Sequence, residues 1–423
     1  MTPTDPIKDM LGREQLRSVS DARNLLFSEL ANLSIQTETI PLEHGLGRIS
    51  GSEIYSPEDL PRQNRSTMDG YAVVSADTFG ATESMPGYLE ISGEVKMGAN
   101  PHGTVTRGQC FKIPTGGILP EGADAVVMFE HTVLVDDKMI EVVKSVGPGG
   151  NVIKKGEDIK KSAQAIPKNK KLSAYDLGLL AGLGIVEIEV YKKVSVGIIS
   201  TGDEVAPYDQ PLPPGKIRNI NSMVLRNLSY DCGVDVIDYG IVADTEEMFF
   251  STVQKAVEET DLVLFSGGSS VGVSDLGEQA IARAGDPGVL IHGVKLKPGK
   301  PVIIGFCNQV PVFGLPGHPV SAAICFDLFV KPTIQRISGK LADHINRELT
   351  ISAILKRSIN SAAGRLDIVR VSVEQTDEGY EAHPVLGKSG SISSLAKADG
   401  FFIIEEPIQG LPENSTVEVF IYK

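Results

Sequence analysis

Apolar residues near the N-terminus recur at the spacing of an amphipathic helix, from Val19 to Leu33. A second helical pattern covers Ser173 to Leu183, where Ser173 is a candidate N-cap and Gly184 a candidate end. Between them, residues 57–156 contain many Gly and Pro residues and only short β-rich runs, which predicts a separate all-β insert. The two helical segments flank this insert, so we expect them to form one discontinuous domain.

From Val194 onward, buried-strand runs alternate with amphipathic helical stretches. The predicted strands are Val194–Ile199, Val234–Val242, Leu262–Phe265, Val302–Phe306 and Val312–Leu315, and the predicted helices are Asn221–Cys232, Thr245–Glu259, Leu276–Ala284 and Ala322–Val330. Strands that alternate with helices indicate parallel βαβ units. Sheets of this kind bind ligands beyond the carboxyl ends of their strands, so the pattern predicts a ligand site at one sheet edge.

After residue 337 the chain returns to short β-runs, which predicts a small C-terminal β domain. Its predicted strands are Leu349–Leu355, Asp367–Val373, Phe401–Ile404 and Thr416–Tyr422. The predicted fold class is therefore α/β plus all-β in a multidomain chain. The predicted boundaries are a linker domain at 18–56 and 157–192, a β insert at 57–156, an α/β domain at 193–336 and a β domain at 337–423.

Composition and charge narrow the possible partners. The formal net charge is −14, which argues against a nucleic-acid binder, because such proteins usually carry a basic stripe. The four cysteines have no metal-knuckle or disulfide-like spacing, for which a reducing cytoplasm is the simple interpretation. No stretch reaches the ~18 apolar residues of a membrane span. We therefore expect a soluble cytoplasmic protein without nucleic-acid or membrane partners.

Two polar turns directly follow predicted strands. Residues 200–204 have the sequence STGDE, in which two carboxylates on a tight turn are suited to a divalent cation. Residues 266–272 have the sequence SGGSSVG, whose glycines let backbone N–H groups approach an anion and whose serines add hydroxyl donors. Asp275 follows and could hold a metal beside a bound phosphate. The alternatives are a capped turn with solvated acids and a flexible Gly/Ser linker.

A third segment, Gly314 to Ser321, leads into the last predicted helix of the α/β domain. Pro319 suits the first helical turn, because its missing N–H costs nothing there. The free N–H groups of a helix start favour an anion. His318 is either a catalytic base or a turn residue, and nothing in the sequence pairs it with a nucleophile.

A lysine-rich loop, Lys295 to Pro301, lies between the second and third segments. It presents ammonium groups suited to phosphate or an oxyanion, although a solvated basic turn has the same composition. Asp244 follows another strand and falls at the same predicted edge. Carboxylates, lysines and a Gly/Ser turn at one edge favour a Mg²⁺-assisted reaction on a phosphate compound. The chain has no GxxxxGK[ST] pattern, which excludes a P-loop NTPase.

These segments resemble the molybdopterin molybdenumtransferase family, which includes the E domain of gephyrin. The resemblance is carried by SGGSSVGVSD at 266–275, KPGKP at 297–301 and GLPGHPVSA at 314–322. It extends to MDGYA at 68–72, PTGG at 114–117, PEGADAV at 120–126, GEDI at 156–159 and the TGDE turn at 201–204. The likeness covers almost the whole chain.

The resemblance implies four domains and an elongated homodimer, whose active cleft lies between the α/β domain of one subunit and the β insert of the other. It also implies the reaction. The family hydrolyses adenylated molybdopterin with Mg²⁺, inserts molybdate-derived metal between the dithiolene sulfurs and releases AMP. No adenylyltransferase domain is fused to this chain, so a separate molybdopterin adenylyltransferase is expected to make the substrate.

The resemblance further implies roles for individual residues. Mg²⁺ ligands are expected at Asp244 and Asp275. Other catalytic residues in the cleft are expected at Asp69, Thr115, Asp158 and Glu204, with Asp69 and Thr115 reaching it from the partner subunit. The pterin-linked phosphate is expected near Gly267, Gly268 and Ser269. Molybdate is expected near Lys300, Ser321, Arg365 and Ser389, with Lys297 in the same binding loop.

Two positions depart from the family pattern. The Asn that is usual in the PGNPVS motif is His318 here, whose charge would depend on pH. A lysine that some members carry four positions before Lys297 is Gly293 here, and Lys295 is the candidate substitute.

Three other functions match parts of the pattern. A molybdopterin adenylyltransferase shares the α/β domain but needs only one small domain. A non-catalytic molybdopterin-binding or scaffold protein is the second, and no sequence feature supports a receptor-binding role. A tungstate-inserting paralogue is the third, and it stays open because tungstate and molybdate have nearly the same size and charge.

Overall fold

The structure is a computed structural model that describes residues 16–267, 271–340 and 349–422, without the side chains of residues 271–275. The chain divides into two compact units. The larger unit consists of Met1–Glu38, Gly47–Ile49 and Tyr191–Lys423, and the smaller unit of Thr39–Leu46 and Ser50–Val190. The division into four domains at the boundaries given above stays a prediction.

A six-stranded mixed sheet forms the centre of the larger unit. Its strands lie in the order Asp235–Val242, Ser195–Thr201, Leu262–Ser266, Val310–Leu315, Ile303–Cys307 and Pro287–His292. The first four strands are parallel, which confirms the predicted βαβ arrangement, and the last two pairings are antiparallel. The strand Pro287–His292 was missed, because Pro287 and Gly288 have the composition of a turn.

Helices cover both faces of this sheet. Alternate side chains of the Leu262–Ser266 strand pack into two separate cores, as the two-residue period of a strand requires. The first core is covered by the helices Ile220–Asp231 and Pro319–Cys325, and the second by Glu246–Glu259 and Val271–Ala284. A π-helical turn at Phe326–Val330 and the helix Lys331–Ile337 continue the chain after Cys325.

The N-terminal helix Val19–Leu30 belongs to the larger unit. Its side chains Val19, Ala22, Leu26 and Leu30 are buried in the first core of the α/β sheet. The sequence predicted this helix, and its assignment to the linker domain stays a prediction. Amphipathic spacing identifies the apolar face of a helix and leaves open which surface that face contacts.

The C-terminal part of the larger unit is a closed β-barrel. Its strands are Thr350–Leu355, Leu366–Thr376, Gly379–Pro384, Gly400–Ile404 and Thr416–Ile421. Leu366–Thr376 pairs with both Gly379–Pro384 and Gly400–Ile404, which closes the sheet on itself. The short strand Leu296–Lys297 adds to this sheet in parallel, with Lys297 opposite Asp367. The lysine-rich loop is therefore hydrogen-bonded to the barrel.

The smaller unit contains the predicted all-β insert. Its six-stranded sheet has the order Ala125–Met128, Gly70–Val73, Gln109–Ile113, Gly87–Glu94, Met139–Val142 and Thr132–Asp136. The helix Ala174–Gly182 follows later in the chain and starts with a capping box between Ser173 and Asp176. Shorter strands lie at Thr37–Pro41, Ile54–Tyr55, Arg65–Ser66, Val152–Ile153, Gln164–Ile166 and Glu187–Tyr191.

The remaining short elements are the strands Val205–Ala206, Ile217–Arg218, Ile359–Asn360 and Gly410–Leu411, the single-turn helix Ser393–Ala396 and 3₁₀ turns at Leu42–His44, Ser75–Thr78 and Phe129–His131. Among the described residues, no helix has both the length and the apolar character needed to cross a membrane.

Candidate active site

The carboxyl ends of the four parallel strands meet at one edge of the α/β sheet. Thr201 lies opposite Val242, and Ser266 lies opposite both Ser200 and Leu315. The acidic turn, the Gly/Ser turn, Asp244 and the Gly314–Ser321 segment all begin within three residues of these positions. The register therefore confirms that the polar segments predicted at strand ends share an edge.

Asp244 is held at this edge by two donors from the acidic turn. The buried Thr201 hydroxyl donates a hydrogen bond to Oδ1 of Asp244, and the Asp203 backbone N–H donates to Oδ2 at 3.3 Å. A half-buried carboxylate in a fixed position is a suitable oxygen ligand for a hard cation. The side chain of Asp275, the other expected ligand, lies outside the described residues.

A pocket of about 340 Å³ opens beside the acidic turn at 200–204. Its lining includes Ser200, Thr201, Glu204, Asn219, Asn221, Ser266, Gly267 and His318. It contains two of the predicted site residues, Glu204 and Gly267. The other two glycine-turn residues, Gly268 and Ser269, lie outside the described part of the chain.

Two asparagines of this pocket were missed at the sequence level. Asn219 donates from Nδ2 to Ser200 Oγ at 2.9 Å, and Asn221 donates from Nδ2 to the Gly317 carbonyl at 3.0 Å. Oδ1 of the buried Asn221 has no hydrogen-bond partner among the described residues. The available signal was the Asn-Ile-Asn sequence at the start of a helix, where Asn219 also serves as N-cap.

A larger cavity of about 920 Å³ lies where the α/β domain adjoins the barrel. Its wall includes the four residues expected near molybdate, which are Lys300, Ser321, Arg365 and Ser389. The wall contains Lys297 of the same binding loop as well. It also includes Lys295, His318, Arg357, Asp367, Arg370 and Lys388. These positions are far apart in the chain, and the fold of the larger unit brings them together.

Asp367 holds two of the cations in place. Its side chain is 4% exposed, and it accepts hydrogen bonds from Lys297 Nζ at 3.2 Å and from Arg365 Nε at 2.9 Å. The pairing of Lys297 with Asp367 across the parallel strands explains the first contact. Sequence analysis missed Asp367, because an acid two residues after an arginine predicts no particular partner.

The backbone requires glycine at one position in the lysine-rich loop and at another just before the loop. Gly299 has a φ of 126°, and a Cβ there would lie 2.7 Å from Leu296 and 2.8 Å from Cys325. Gly293 has a φ of 84°, and a Cβ there would lie 2.6 Å from Leu16. A lysine at position 293 would therefore be strained, whereas Lys295 lines the cavity. Its role as the substitute cation stays a prediction.

His318 and Ser389 connect the helix start to the barrel. His318 Nδ1 lies 2.9 Å from Ser389 Oγ, and the Val320 backbone N–H donates to the Ser389 carbonyl at 3.1 Å. One of the helix-start N–H groups that we expected to favour an anion is therefore already bonded to the barrel. The sequence left open whether His318 is a base or a turn residue, and the structure gives it this polar contact.

The remaining predicted site residues belong to the smaller unit. Asp69 Oδ1 accepts a hydrogen bond from the Thr115 backbone N–H at 2.7 Å, so these two motif residues are neighbours. Asp158 is exposed on a loop whose backbone bonds to Leu60. How these three residues relate to the large cavity stays a prediction.

Comparison with known protein families covers most of the chain. Residues 17–184 match the model of the MoeA N-terminal region (domain I and II), and residues 197–336 match a "Probable molybdopterin binding domain". Residues 352–422 match the MoeA C-terminal region (domain IV).

Two curated relatives match nearly end to end. The molybdopterin molybdenumtransferase of Haemophilus influenzae is 31% identical over 95% of this chain and 98% of its own length. That of Bacillus subtilis is 31% identical over 92% of this chain and 90% of its own length.

Two solved structures of molybdopterin biosynthesis MoeA proteins from Pyrococcus horikoshii share the fold. Their TM-scores are 0.83 and 0.81 at 36% and 32% identity, and they cover 97% and 96% of this chain and 100% of their own. Full-length relatives above 30% identity and family models across all regions agree with the motifs and with the cavity. The chain therefore belongs to the MoeA family of molybdopterin molybdenumtransferases, enzymes of molybdenum cofactor biosynthesis.

Proposed function

We propose that this enzyme takes adenylated molybdopterin and molybdate, hydrolyses the adenylate with the aid of Mg²⁺, inserts the metal into the pterin dithiolene and releases AMP. The observation that carries this proposal is the convergence of three cations and two hydroxyls on one cavity of about 920 Å³. A doubly charged tetrahedral oxyanion is bound well by ammonium, guanidinium and hydroxyl donors. Lys297, Lys300, Arg365, Ser321 and Ser389 supply all three types.

The phosphate chemistry is proposed at the neighbouring sheet edge. Two hydrogen bonds fix the carboxylate of Asp244 there, and Glu204 and Gly267 line the adjacent pocket. Asp244, with Asp275, would hold Mg²⁺, which would offset the negative charge of the phosphate during its hydrolysis. Gly267 leaves room for a phosphate to approach the backbone, since it has no side chain.

The pterin is proposed to lie along the same pocket. The unpartnered Oδ1 of Asn221 is a buried acceptor, and such an atom is costly unless a donor meets it. A pterin ring carries several N–H donors on its edge. Asn221 is therefore a candidate contact for the ring.

The test is AMP release. The purified protein is incubated with adenylated molybdopterin, Mg²⁺ and molybdate, and AMP is measured against samples that lack molybdate or Mg²⁺. We expect AMP release that depends on both additions. AMP at background level in the complete mixture would refute the enzyme proposal. Replacing molybdate by tungstate then compares the two oxyanions directly.

Two variants sharpen this test. Lys300→Gln is expected to raise the molybdate concentration needed for half-maximal rate, and Asp275→Asn to lose hydrolysis while still binding the pterin. Lys255→Gln is the matched control, because Lys255 lies on an outer helix and pairs with Glu259. Equal behaviour of Lys300→Gln and Lys255→Gln would contradict the proposed oxyanion site. Full activity of Asp275→Asn would contradict the metal assignment.

A homodimer with a shared cleft is proposed from the family resemblance, with Asp69 and Thr115 contributed by the partner subunit. At a molybdate concentration too low for Lys300→Ala to be active, mixing Asp69→Ala and Lys300→Ala subunits would then restore activity, since half of the dimers are mixed and each has one intact cleft. The expected recovery is about a quarter of wild-type activity in a symmetric dimer. No recovery after verified subunit exchange would place both residues in the same subunit's cleft.

The upstream enzyme and the compartment are also proposals. A separate molybdopterin adenylyltransferase would supply the substrate, and the cytoplasm is the proposed compartment. The four cysteines are unpaired, in agreement with a reducing environment. Pull-down of the substrate-making enzyme in the presence of adenylated molybdopterin would test the first of these proposals.

A further inference from the structure

Arg370 is a buried cation whose hydrogen-bonding capacity is mostly unused. It lies in the barrel strand Leu366–Thr376, and only 8% of its surface is exposed. One guanidinium nitrogen, Nη2, donates to the Gly387 carbonyl at 3.1 Å. Nε and Nη1 are buried and have no hydrogen-bond partner among the residues that the structure describes.

The nearest buried acid on the same strand does not neutralise this charge. Asp367 already accepts hydrogen bonds from Lys297 and Arg365. Burial without a counter-ion lowers the pKa of Arg370 below its ordinary value. Isolated buried charges are strongly unfavourable, and proteins keep them where a partner or ligand compensates the charge.

The position of Arg370 indicates what that partner would be. Arg370 lines the 920 Å³ cavity together with Gly387, Lys388 and Ser389. Its backbone carbonyl accepts from the Val385 N–H at 2.8 Å, so both its backbone and its guanidinium are bonded to the 385–389 loop. The guanidinium is therefore held beside residues already proposed to bind the oxyanion.

We propose that Arg370 is an additional oxyanion-binding residue, whose guanidinium donates a hydrogen bond to a doubly charged tetrahedral anion in the cavity. This inference rests on the proposed function and adds a residue that no family motif identified. The positive charge of a guanidinium strengthens each hydrogen bond that it donates to an anion. Arg370 would favour a dianion over a monoanion of the same shape.

Anion binding to the full-length protein tests the proposal directly. Calorimetry with molybdate as a dianion and perrhenate as a monoanion is carried out on wild type, Arg370→Gln and the control Lys356→Gln. Lys356 lies in the same barrel and pairs with Glu381 outside the cavity wall. We expect Arg370→Gln to weaken molybdate binding by roughly tenfold or more, and perrhenate binding by clearly less. Lys356→Gln is expected to change neither affinity.

A structural role for Arg370 predicts a different result. If it only holds the 385–389 loop, Arg370→Gln would weaken both anions equally and lower the thermal midpoint of the anion-free protein. If it binds the anion, removing an uncompensated charge leaves that midpoint unchanged or higher, and abolishes most of the stabilisation by added molybdate. Unchanged molybdate affinity or equal losses for the two anions would overturn the proposal.

The pattern of outcomes separates this inference from the proposed function. Wild-type protein that binds no molybdate would contradict both. Wild-type binding together with normal binding by Arg370→Gln would contradict the role of Arg370 alone. Oxyanion binding without AMP release would leave Arg370 as an anion contact and refute the proposed reaction.

Discussion

His318 Nδ1 and Ser389 Oγ lie 2.9 Å apart, and their hydrogen bond connects the start of a helix in the α/β domain to a loop of the C-terminal barrel. Both residues line the cavity proposed for the oxyanion. The family resemblance implies Asn at position 318, so this contact is made by a residue that departs from the expected pattern. The Val320 N–H bond to the Ser389 carbonyl joins the same two elements.

His318→Asn is expected to preserve activity and His318→Leu to impair it. Asn retains a polar group, whereas Leu removes the bond to Ser389, which is worth about 1 kcal/mol. We expect the KM for molybdate to rise roughly fivefold in His318→Leu and to change little in His318→Asn. Steady-state AMP release at varied molybdate measures this. Ser389→Ala combined with His318→Leu should be no worse than the more impaired single variant, and additive losses would show that the hydrogen bond is not the shared cause.

Asp367→Asn is expected to destabilise the larger unit. The carboxylate is 4% exposed and is the common acceptor for Lys297 and Arg365, whose side chains are partly solvated. Solvent screening of these partners limits the expected loss to about 1–2 kcal/mol of unfolding free energy. Urea denaturation followed by circular dichroism measures it. Asp377→Asn, an exposed acid on a barrel turn, is the control, and equal stability of the two variants would contradict the role of Asp367.

Asp244→Asn is expected to raise the Mg²⁺ requirement without affecting oxyanion binding. The amide keeps the size of the side chain but loses the charge that a hard cation prefers. We expect half-maximal AMP release to need at least about tenfold more Mg²⁺, with unchanged molybdate affinity by calorimetry. Thr201→Val removes the hydroxyl that donates to Asp244 and should give a smaller shift in the same direction. An unaltered Mg²⁺ titration for Asp244→Asn would rule out this ligand.

Asp176 is expected to make stability depend on pH in the acid range. Burial raises the pKa of Asp176, but hydrogen bonds from Lys170 and Ser173 outweigh that effect and hold the pKa below its ordinary value. A carboxyl whose pKa is depressed by folding contributes stability above its unfolded pKa of about 3.9 and loses it as pH falls through the folded pKa. Asp176→Asn should therefore lower the thermal midpoint at pH 7.

The same variant should differ less from wild type near pH 3, where the wild-type carboxyl begins to bind a proton. The capping box that Asp176 forms with Ser173 is worth about 1 kcal/mol. Ser173→Ala is the companion variant, and it should also lower the midpoint at pH 7. A difference between wild type and Asp176→Asn that stays constant from pH 7 to pH 3 would contradict the assigned cause.

Local sequence determined most of the secondary structure and the places of the polar site residues along the chain. The apolar run before Ser200 and the one before Ser266 predicted parallel strands, because a buried strand needs apolar residues on both faces. Polar turns at their ends followed from the same pattern, and the motifs at 266–275, 297–301 and 314–322 identified the family. The insert at 57–156 was recognisable as all-β from its short runs and frequent turns.

The tertiary structure decided which of these residues face one another. Asp367 meets Lys297 because two strands pair in one register, and Ser389 meets His318 because the closed barrel brings its 385–389 loop to the helix start. Arg370 is buried beside a cavity by that same closure. Periodicity specifies which face of an element is apolar, whereas long-range pairing depends on register, barrel closure and packing among segments distant in the chain. The sequence therefore identified the donors of the proposed oxyanion site, and the fold placed Asp367, the His318–Ser389 hydrogen bond and the buried Arg370 beside them.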